Sequence, residues 1–379
     1  MEEWWRRQDR RRVRPGLAVL TLIHLLKGTV LTTNTVRFAA VGLDHAHIHG
    51  QIAGLIAAGA EFVAMATDDP AAAIAVQVRE RYPDVPVADF PAELIERDDI
   101  DVIVTAAVPD RRGPIAVAAL RAGKDVVADK PGCVSFAQLE EIEKAVAESG
   151  RFWSVTFSER LEVRSAIKAG ELVREGRIGT VVQTIGLGPH RIGDRGHLGG
   201  GAGRPDWFYD KNRYGGILVD IASHQIDQFL FYTGSRTAEV VASSVGNFAN
   251  PGKPGLQDFG DLLIRSDNAQ GYIRVDWYTP DGLPTWGDGR LMILGTEGYI
   301  ELRKYVDIAG RPGTDHVFLV NHEGMEYIDC SDVQLTYYAD LLNDVRDRTS
   351  TAAPQEHTLE TMRLALTAQQ QAVVRGAAE

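Results

Sequence analysis

Between residues 36 and 155 short apolar runs alternate with longer stretches whose apolar residues recur every three or four positions. Residues 36–41, 61–66, 101–105, 125–128 and 152–155 read as strands, and 49–58, 71–81, 114–122 and 134–149 as helices. Strands alternating with helices at this spacing imply crossover connections and a doubly wound parallel sheet. In such sheets ligands sit outside the carboxyl ends of the strands. Those ends are Gly42, Thr67, residues 105–109 and Asp129-Lys130-Pro131.

Past residue 156 the pattern changes. Residues 161–175 are helical and stop at Gly176-Arg-Ile-Gly179; 181–185 read as a strand, and 186–203 as a glycine-rich loop around Gly199-Gly-Gly201. After Gly215-Gly216, Ile217, Leu218, Ile221, Phe229 and Leu230 recur at roughly helical spacing, so one amphipathic helix begins near Ile217. Strand-like runs follow at 238–245, 259–264, 271–278, 290–294 and 299–302. Short turns join them, which predicts a mostly antiparallel open sheet with helices over one face. Residues 334–348 and 358–374 close the chain as helices.

Composition narrows the class. The 379 residues suit two domains, and 44% apolar with 24% charged residues describes an ordinary globular chain. A net charge of −12 argues against nucleic acid as partner. Cys133 and Cys330 sit in no metal-ligand spacing and fit a reducing, cytoplasmic setting. Residues 1–35 begin basic and turn apolar, loosely like a secretory signal. His24 interrupts that run, no small-residue cleavage site follows, and the apolar part is too short to cross a bilayer. The expectation is a poorly ordered extension and no membrane association.

On the helix near Ile217, Asp220 and His224 stand four residues apart, which stacks a carboxylate and an imidazole on one face. A half-buried imidazole beside a carboxylate exchanges protons near neutral pH. A capping or core histidine held by its neighbour is the plainer alternative.

Five motifs in order then point to a family. They are Ala40-Val-Gly42, Ala122-Gly-Lys-Asp-Val-Val-Ala-Asp-Lys-Pro131, Gly176-Arg-Ile-Gly179, Gly215-Gly-Ile-Leu-Val-Asp220 running on to His224 and Asp227, and Gly295-Thr-Glu-Gly298. With them the chain resembles the Gfo/Idh/MocA oxidoreductases over about residues 36 to 370. The resemblance implies an α/β chain: an N-terminal doubly wound Rossmann domain at 36–155, then an α+β substrate-binding and oligomerisation domain at 156–379. It further implies a nicotinamide-dependent dehydrogenase for a sugar, cyclitol or related polyol, assembled as a homo-oligomer (dimer or tetramer). Carried over by position, Lys130 would touch the substrate hydroxyl and the nicotinamide ribose, His224 would take the hydroxyl proton, and Asp220 would orient substrate or imidazole. Phe157-Ser-Glu-Arg160 stands where relatives carry F-N-x-R, which makes Arg160 a substrate candidate.

The glycine fingerprint departs from the family. Of G-x-G-x-x-G only Gly42 survives; Asp44 and His47 take the other positions. Asp44 as a helix cap would leave backbone amides for a pyrophosphate, with His45 or His47 as further donors. Asp68, after the second strand, would repel a 2′-phosphate, so NAD is favoured over NADP. Gly42, Asp44, His45, Asp68, Asp129, Lys130 and Pro131 form the expected cofactor set. The run His45-x-His47-x-His49 invites a metal reading, but at a strand-to-helix turn polar residues around cofactor or substrate are expected instead.

On the substrate side, His190, Arg191, Asp206 and Trp207 offer donors and an indole for a polyhydroxylated ligand. The loop from Trp277 through Trp286 to Gly289 would cap the site or serve subunit contacts. Rival functions are a lyase or glycosidase with transient oxidation by tightly held NAD, a non-catalytic nucleotide sensor, and a metal-assisted enzyme on the histidine run.

Overall fold

The structure, a computed structural model, describes residues 35–192 and 204–376. The expectations for the first 34 residues and for Gly199-Gly-Gly201 lie outside the described residues.

The first half alternates as read: β1 (Arg37–Leu43), α1 (His47–Ala57), β2 (Glu61–Ala66), α2 (Ala73–Arg81), α3 (Pro91–Ile95), β3 (Val102–Ala106), α4 (Pro109–Arg121), β4 (Asp125–Asp129), α5 (Phe136–Ser149) and β5 (Trp153–Thr156). The five strands pair in parallel in the order β2-β1-β3-β4-β5. β3 and β4 are buried at every position, as central strands covered on both faces must be. Between β1 and β3 the strand order reverses, and the crevice for a ligand opens there.

The second half continues with α6 (Ser158–Leu161), α7 (Arg164–Arg174), β6 (Val181–Pro189), a 3-10 turn at Asp206–Tyr209, α8 (Lys211–Tyr214), α9 (Ile217–Asp220) and α10 (Ala222–Thr233). Then come β7 (Glu239–Gly246), β8 (Phe259–Arg265), β9 (Gln270–Asp276), β10 (Arg290–Gly295), β11 (Gly298–Arg303), β12 (His316–Asn321), β13 (Gly324–Asp329), α11 (Tyr337–Asp347), α12 (Gln355–Gln371) and β14 (Val373–Arg375). Nine strands form one sheet, β13-β12-β11-β10-β6-β9-β8-β7-β14. Only β6 with β9 and β14 with β7 run parallel.

Helices cover one face of this sheet. Ile226, Phe229 and Leu230 of α10 and Leu364 and Ala368 of α12 share a core with Leu262, Ile264, Ile273 and Val275 of β8 and β9. Ala166, Ala169 and Leu172 of α7 pack with Leu291, Ile293, Ile300 and Leu302. The C-terminal helices also serve the first sheet: Tyr337, Leu341 and Met362 join its core, and the Gln355 amide bonds the Trp153 backbone from both sides. Among the described residues no helix is long and apolar enough to cross a membrane.

Three readings change. The predicted loop from 186 begins later, because β6 runs on to Pro189. Gly186 and Gly188 lie inside that strand because Gln225 of α10 packs on them: a Cβ at Gly188 would meet its amide nitrogen at 2.8 Å. β12 and β13 form a hairpin that the pattern did not announce, β13 being an almost wholly exposed edge strand. Finally, the single helix expected from Ile217 is two, with Ile221 between them.

A buried ion pair ties three of these elements together. Arg160 of α6 donates to both oxygens of Asp227 on α10 at 2.6 and 2.7 Å, and His357 of α12 lies 2.7 Å from the same carboxylate. Burial would raise the Asp227 carboxyl, but Arg160 and His357 bring it down to about 2. Its folded value lies below the ordinary 3.8, so its contribution is complete above about pH 4 and is lost as pH falls towards about 2. Asp227→Ala strands a buried guanidinium and is expected to cost about 3–5 kcal/mol in urea unfolding at neutral pH, with a much smaller loss near pH 2.

Candidate active site

The site forms at the carboxyl ends of β1, β3 and β4. Lys130, the residue after β4, is only 6% exposed. Its Nζ donates to Asp220 Oδ1 at 3.0 Å and to the Asp220 carbonyl at 3.1 Å. A buried ammonium persists only when paired and hydrogen-bonded, and Asp220 supplies both contacts. The same carbonyl accepts from Ser223 Oγ, while the His224 amide bonds Ile221 instead. With the Asp220 carbonyl turned to Lys130, the backbone ladder breaks and α9 and α10 separate.

Asp129 is the second charged centre. Its Oδ1 accepts the Lys130 amide at 2.8 Å and lies 2.8 Å from His47 Nδ1. Its Oδ2 stands 2.9 Å from the Arg112 guanidinium and 3.3 Å from His45 Nδ1. Burial would raise this carboxyl, but His47, Arg112 and His45 hold it well below the usual range. Arg112, fully buried on α4, also donates to the carbonyls of Ala107, Lys130 and Pro131, which fixes the strand ends against each other.

At the end of β1, Gly42 has φ +77°, and a Cβ there would stand 2.4 Å from that of Ala107. Only glycine lets β1 turn this close to the segment after β3. The Asp44 and His45 amides both donate to the Ala106 carbonyl, and the Asp44 carboxylate accepts the Val108 amide at 3.2 Å. Asp44 thus straps the two loops together instead of capping α1, and burial raises its pKa.

These groups open on one pocket. Lys130, Asp220 and Arg112 line one side, with His45, His47 and Pro109 beside them; His190, Arg191 and Arg204 and the rings of Trp207, Phe208, Trp277 and Trp286 complete it. The Arg204 guanidinium lies 4.3 Å from the ring centres of both Phe208 and Trp277, and burial lowers its pKa to about 10. Arg191 donates to the carbonyls of Pro280 and Leu283, which holds the loop after β9 in place.

Of the residues singled out in the sequence, Lys130, Asp220, His45, His190, Arg191 and Trp207 meet at this pocket. Gly42, Asp129 and Pro131 are buried and Asp44 half-buried at the strand ends next to it, and none of the four lines it. Asp68 is exposed after β2 and lies 3.2 Å from Arg111. Asp206 is exposed on its turn and does not line the pocket, and Arg160 is spent on Asp227. His224 follows Asp220 by one turn, is 2% exposed and is absent from the lining; its Nδ1 has no hydrogen-bond partner among the described residues. Burial, with Lys130 and Lys304 near, pushes its pKa well below 6.5, so the imidazole is neutral. Arg112 carried no signal in the sequence; Arg204 headed the segment expected to border the substrate without being singled out, and Trp277 and Trp286 belonged to the loop expected to cap the site.

A nicotinamide dinucleotide fits this end of the sheet in part. The Gly42 turn, the crevice between β1 and β3, Asp68 beyond β2 and Lys130 beyond β4 stand where such a group needs them. Its phosphate seat is altered, because the Asp44, His45 and His47 amides are already engaged, the last with His45 Nδ1.

The chain matches two family descriptions: an oxidoreductase family with NAD-binding Rossmann fold at residues 36–157, and the GFO/IDH/MocA C-terminal domain at 166–301. An Erwinia carotovora atroseptica SCRI1043 protein of solved structure, named only as an oxidoreductase, is 44% identical, with a TM-score of 0.85 over 90% of this chain and 99% of that one. The scyllo-inositol 2-dehydrogenase (NAD(+)) of Bacillus subtilis (strain 168) is 24% identical over 80% of this chain and 82% of its own length. The uncharacterized oxidoreductase YdgJ of Escherichia coli (strain K12) is 31% identical, but the chain spans under half of it, 43%, and 42% of this chain is covered. A levoglucosan dehydrogenase in complex with NADH and levoglucosan shares the fold at 17% identity, with a TM-score of 0.73 over 89% of this chain and 98% of that one. So does a 3-ketoreductase from Actinomadura kijaniata in complex with NADP, at 19% identity and a TM-score of 0.69 over 90% of this chain and 99% of that one. With the two family descriptions matched in order at 36–157 and 166–301, the chain belongs to the GFO/IDH/MocA oxidoreductase family and carries that family's NAD-binding Rossmann fold at its first sheet.

Proposed function

We propose that the protein is an NAD(H)-dependent oxidoreductase acting at a hydroxyl-bearing carbon of a sugar, cyclitol or related polyol. The observation that carries this reading is the buried Lys130–Asp220 pair beside an aromatic-walled pocket at the carboxyl edge of the first sheet. A bound nicotinamide supplies the hydride acceptor or donor. The ammonium of Lys130, aimed by Asp220, stabilises negative charge growing on the reacting oxygen. His224 is neutral and accepts the hydroxyl proton. Trp207, Trp277 and Trp286 offer faces on which a sugar ring stacks.

The dinucleotide would be held by the Gly42 turn, the β1–β3 crevice, Asp68 and Lys130. NAD is the preferred form because the exposed Asp68 carboxylate repels a 2′-phosphate, even with Arg111 beside it. The polyol class draws support from the Bacillus relative's name. Assembly as a homo-oligomer fits the outer face of the large sheet, where Val241, Leu263, Met292, Leu294 and Tyr299 are exposed. A cytoplasmic setting accords with two free, buried cysteines.

A second reading gives the proton to His190, because this imidazole lines the pocket and His224 does not. Burial keeps His190 neutral too, and its Nδ1 faces the Gly188 carbonyl at 3.1 Å.

Four outcomes check the proposal. A panel of polyols assayed by NADH absorbance should yield a substrate, with NAD bound more tightly than NADP in a fluorescence titration; tighter NADP binding contradicts the role given to Asp68. His224→Ala should lower kcat/KM by about 10²–10⁴-fold with nucleotide affinity unchanged. The acid limb of the wild-type kcat/KM profile should lie below pH 6.5, since the imidazole loses its proton below that value. Full activity in His224→Ala with loss in His190→Ala would transfer the role to His190.

A further inference from the structure

We propose that His45, His47 and Asp129 form a binding site for a divalent transition metal, opening on the same pocket. One ligand atom from each of the three lies within 4.8 Å of the others. His45 comes from the turn after β1, His47 opens α1, and the carboxylate comes from the end of β4, 82 positions beyond His47. The sequence showed only the histidine run, with nothing to say which of the three would converge or on what. The fold sends His49 away to Gln77 and brings the other two onto one buried carboxylate.

Two imidazoles and a carboxylate suit zinc, manganese, iron or cobalt. His45 carries the more telling contact. Its Nδ1 stands 3.3 Å from Asp129 Oδ2, so a second imidazole nitrogen converges on the same carboxylate. Asp129 Oδ2 is buried, with His45 Nδ1 at 3.3 Å on the pocket side and the Arg112 guanidinium at 2.9 Å. Arg112 and the Lys130 amide hold the carboxylate from outside, as second-layer donors do around metal ligands. The Arg112 charge opposes a second cation, so the site will bind more weakly than an all-histidine one. His45 and His47 both line the pocket, so an ion held between them would lie within reach of the pocket's ligand. Hydroxyl oxygens of a polyol are suitable donors there.

The test is spectroscopic and does not depend on the oxidoreductase reading. Untagged full-length protein, stripped with chelator, is titrated with Co(II) and its visible absorption recorded, with bound metal counted by mass spectrometry. One ion per chain is expected, lost in the His45→Gln/His47→Gln double variant and kept in His49→Gln. The single His47→Gln change, at a partly exposed residue, answers the question should the double variant fail to fold; it should weaken Co(II) by at least about tenfold. No Co(II) spectrum in folded wild type, or an unchanged one in the histidine variants, overturns the site.

Discussion

A lysine ammonium withdrawn from water has to meet an anion, and that need organises the centre of this molecule. Lys130 leaves the buried β4 with almost no solvent around it, and Asp220 is the carboxylate that answers it. The contact takes the Asp220 carbonyl as well as its carboxylate, so a helix that its apolar pattern would run straight is broken after one turn. The break places His224 and the rest of α10 under the large sheet, while Lys130 stays with the small one. One ion pair thus joins the two sheets beside the pocket.

Around that pair the charges are arranged in layers. Asp129 sits one residue before Lys130 and gathers Arg112 and two imidazoles, which keep it ionised in spite of its burial. Asp44, where the family carries a glycine, is turned onto the Val108 amide and does not present its charge to the crevice. The imidazoles of His190 and His224 are both neutral, held so by burial with Lys130 nearby. A site of fixed cations, fixed anions and neutral bases suits removing a proton from a hydroxyl and stabilising the oxygen left behind.

Much of this was legible in the sequence because it rests on local periodicity and on short motifs. All five strands of the first sheet and the residues at their carboxyl ends follow from such signals; Asp220, expected to orient substrate or imidazole, is turned onto Lys130 instead. What escaped was set by contacts between distant positions. Gly186 and Gly188 looked like loop residues, yet they are strand glycines cut to fit Gln225. Arg160 looked like a substrate ligand, but Asp227, 67 residues away, takes its whole fork. Arg112 has no local signature, and its role appears only when the ends of β3 and β4 come together. The histidine run showed its spacing and hid its partner, Asp129.

The most direct check on the central ion pair is a double-mutant cycle in urea unfolding, with Lys130→Met, Asp220→Asn and the two combined. A coupled buried pair predicts that the double variant loses clearly less than the sum of the single losses, with an interaction of about 1–3 kcal/mol. Single losses that add to within about 0.5 kcal/mol would mean that Lys130 and Asp220 do not depend on each other.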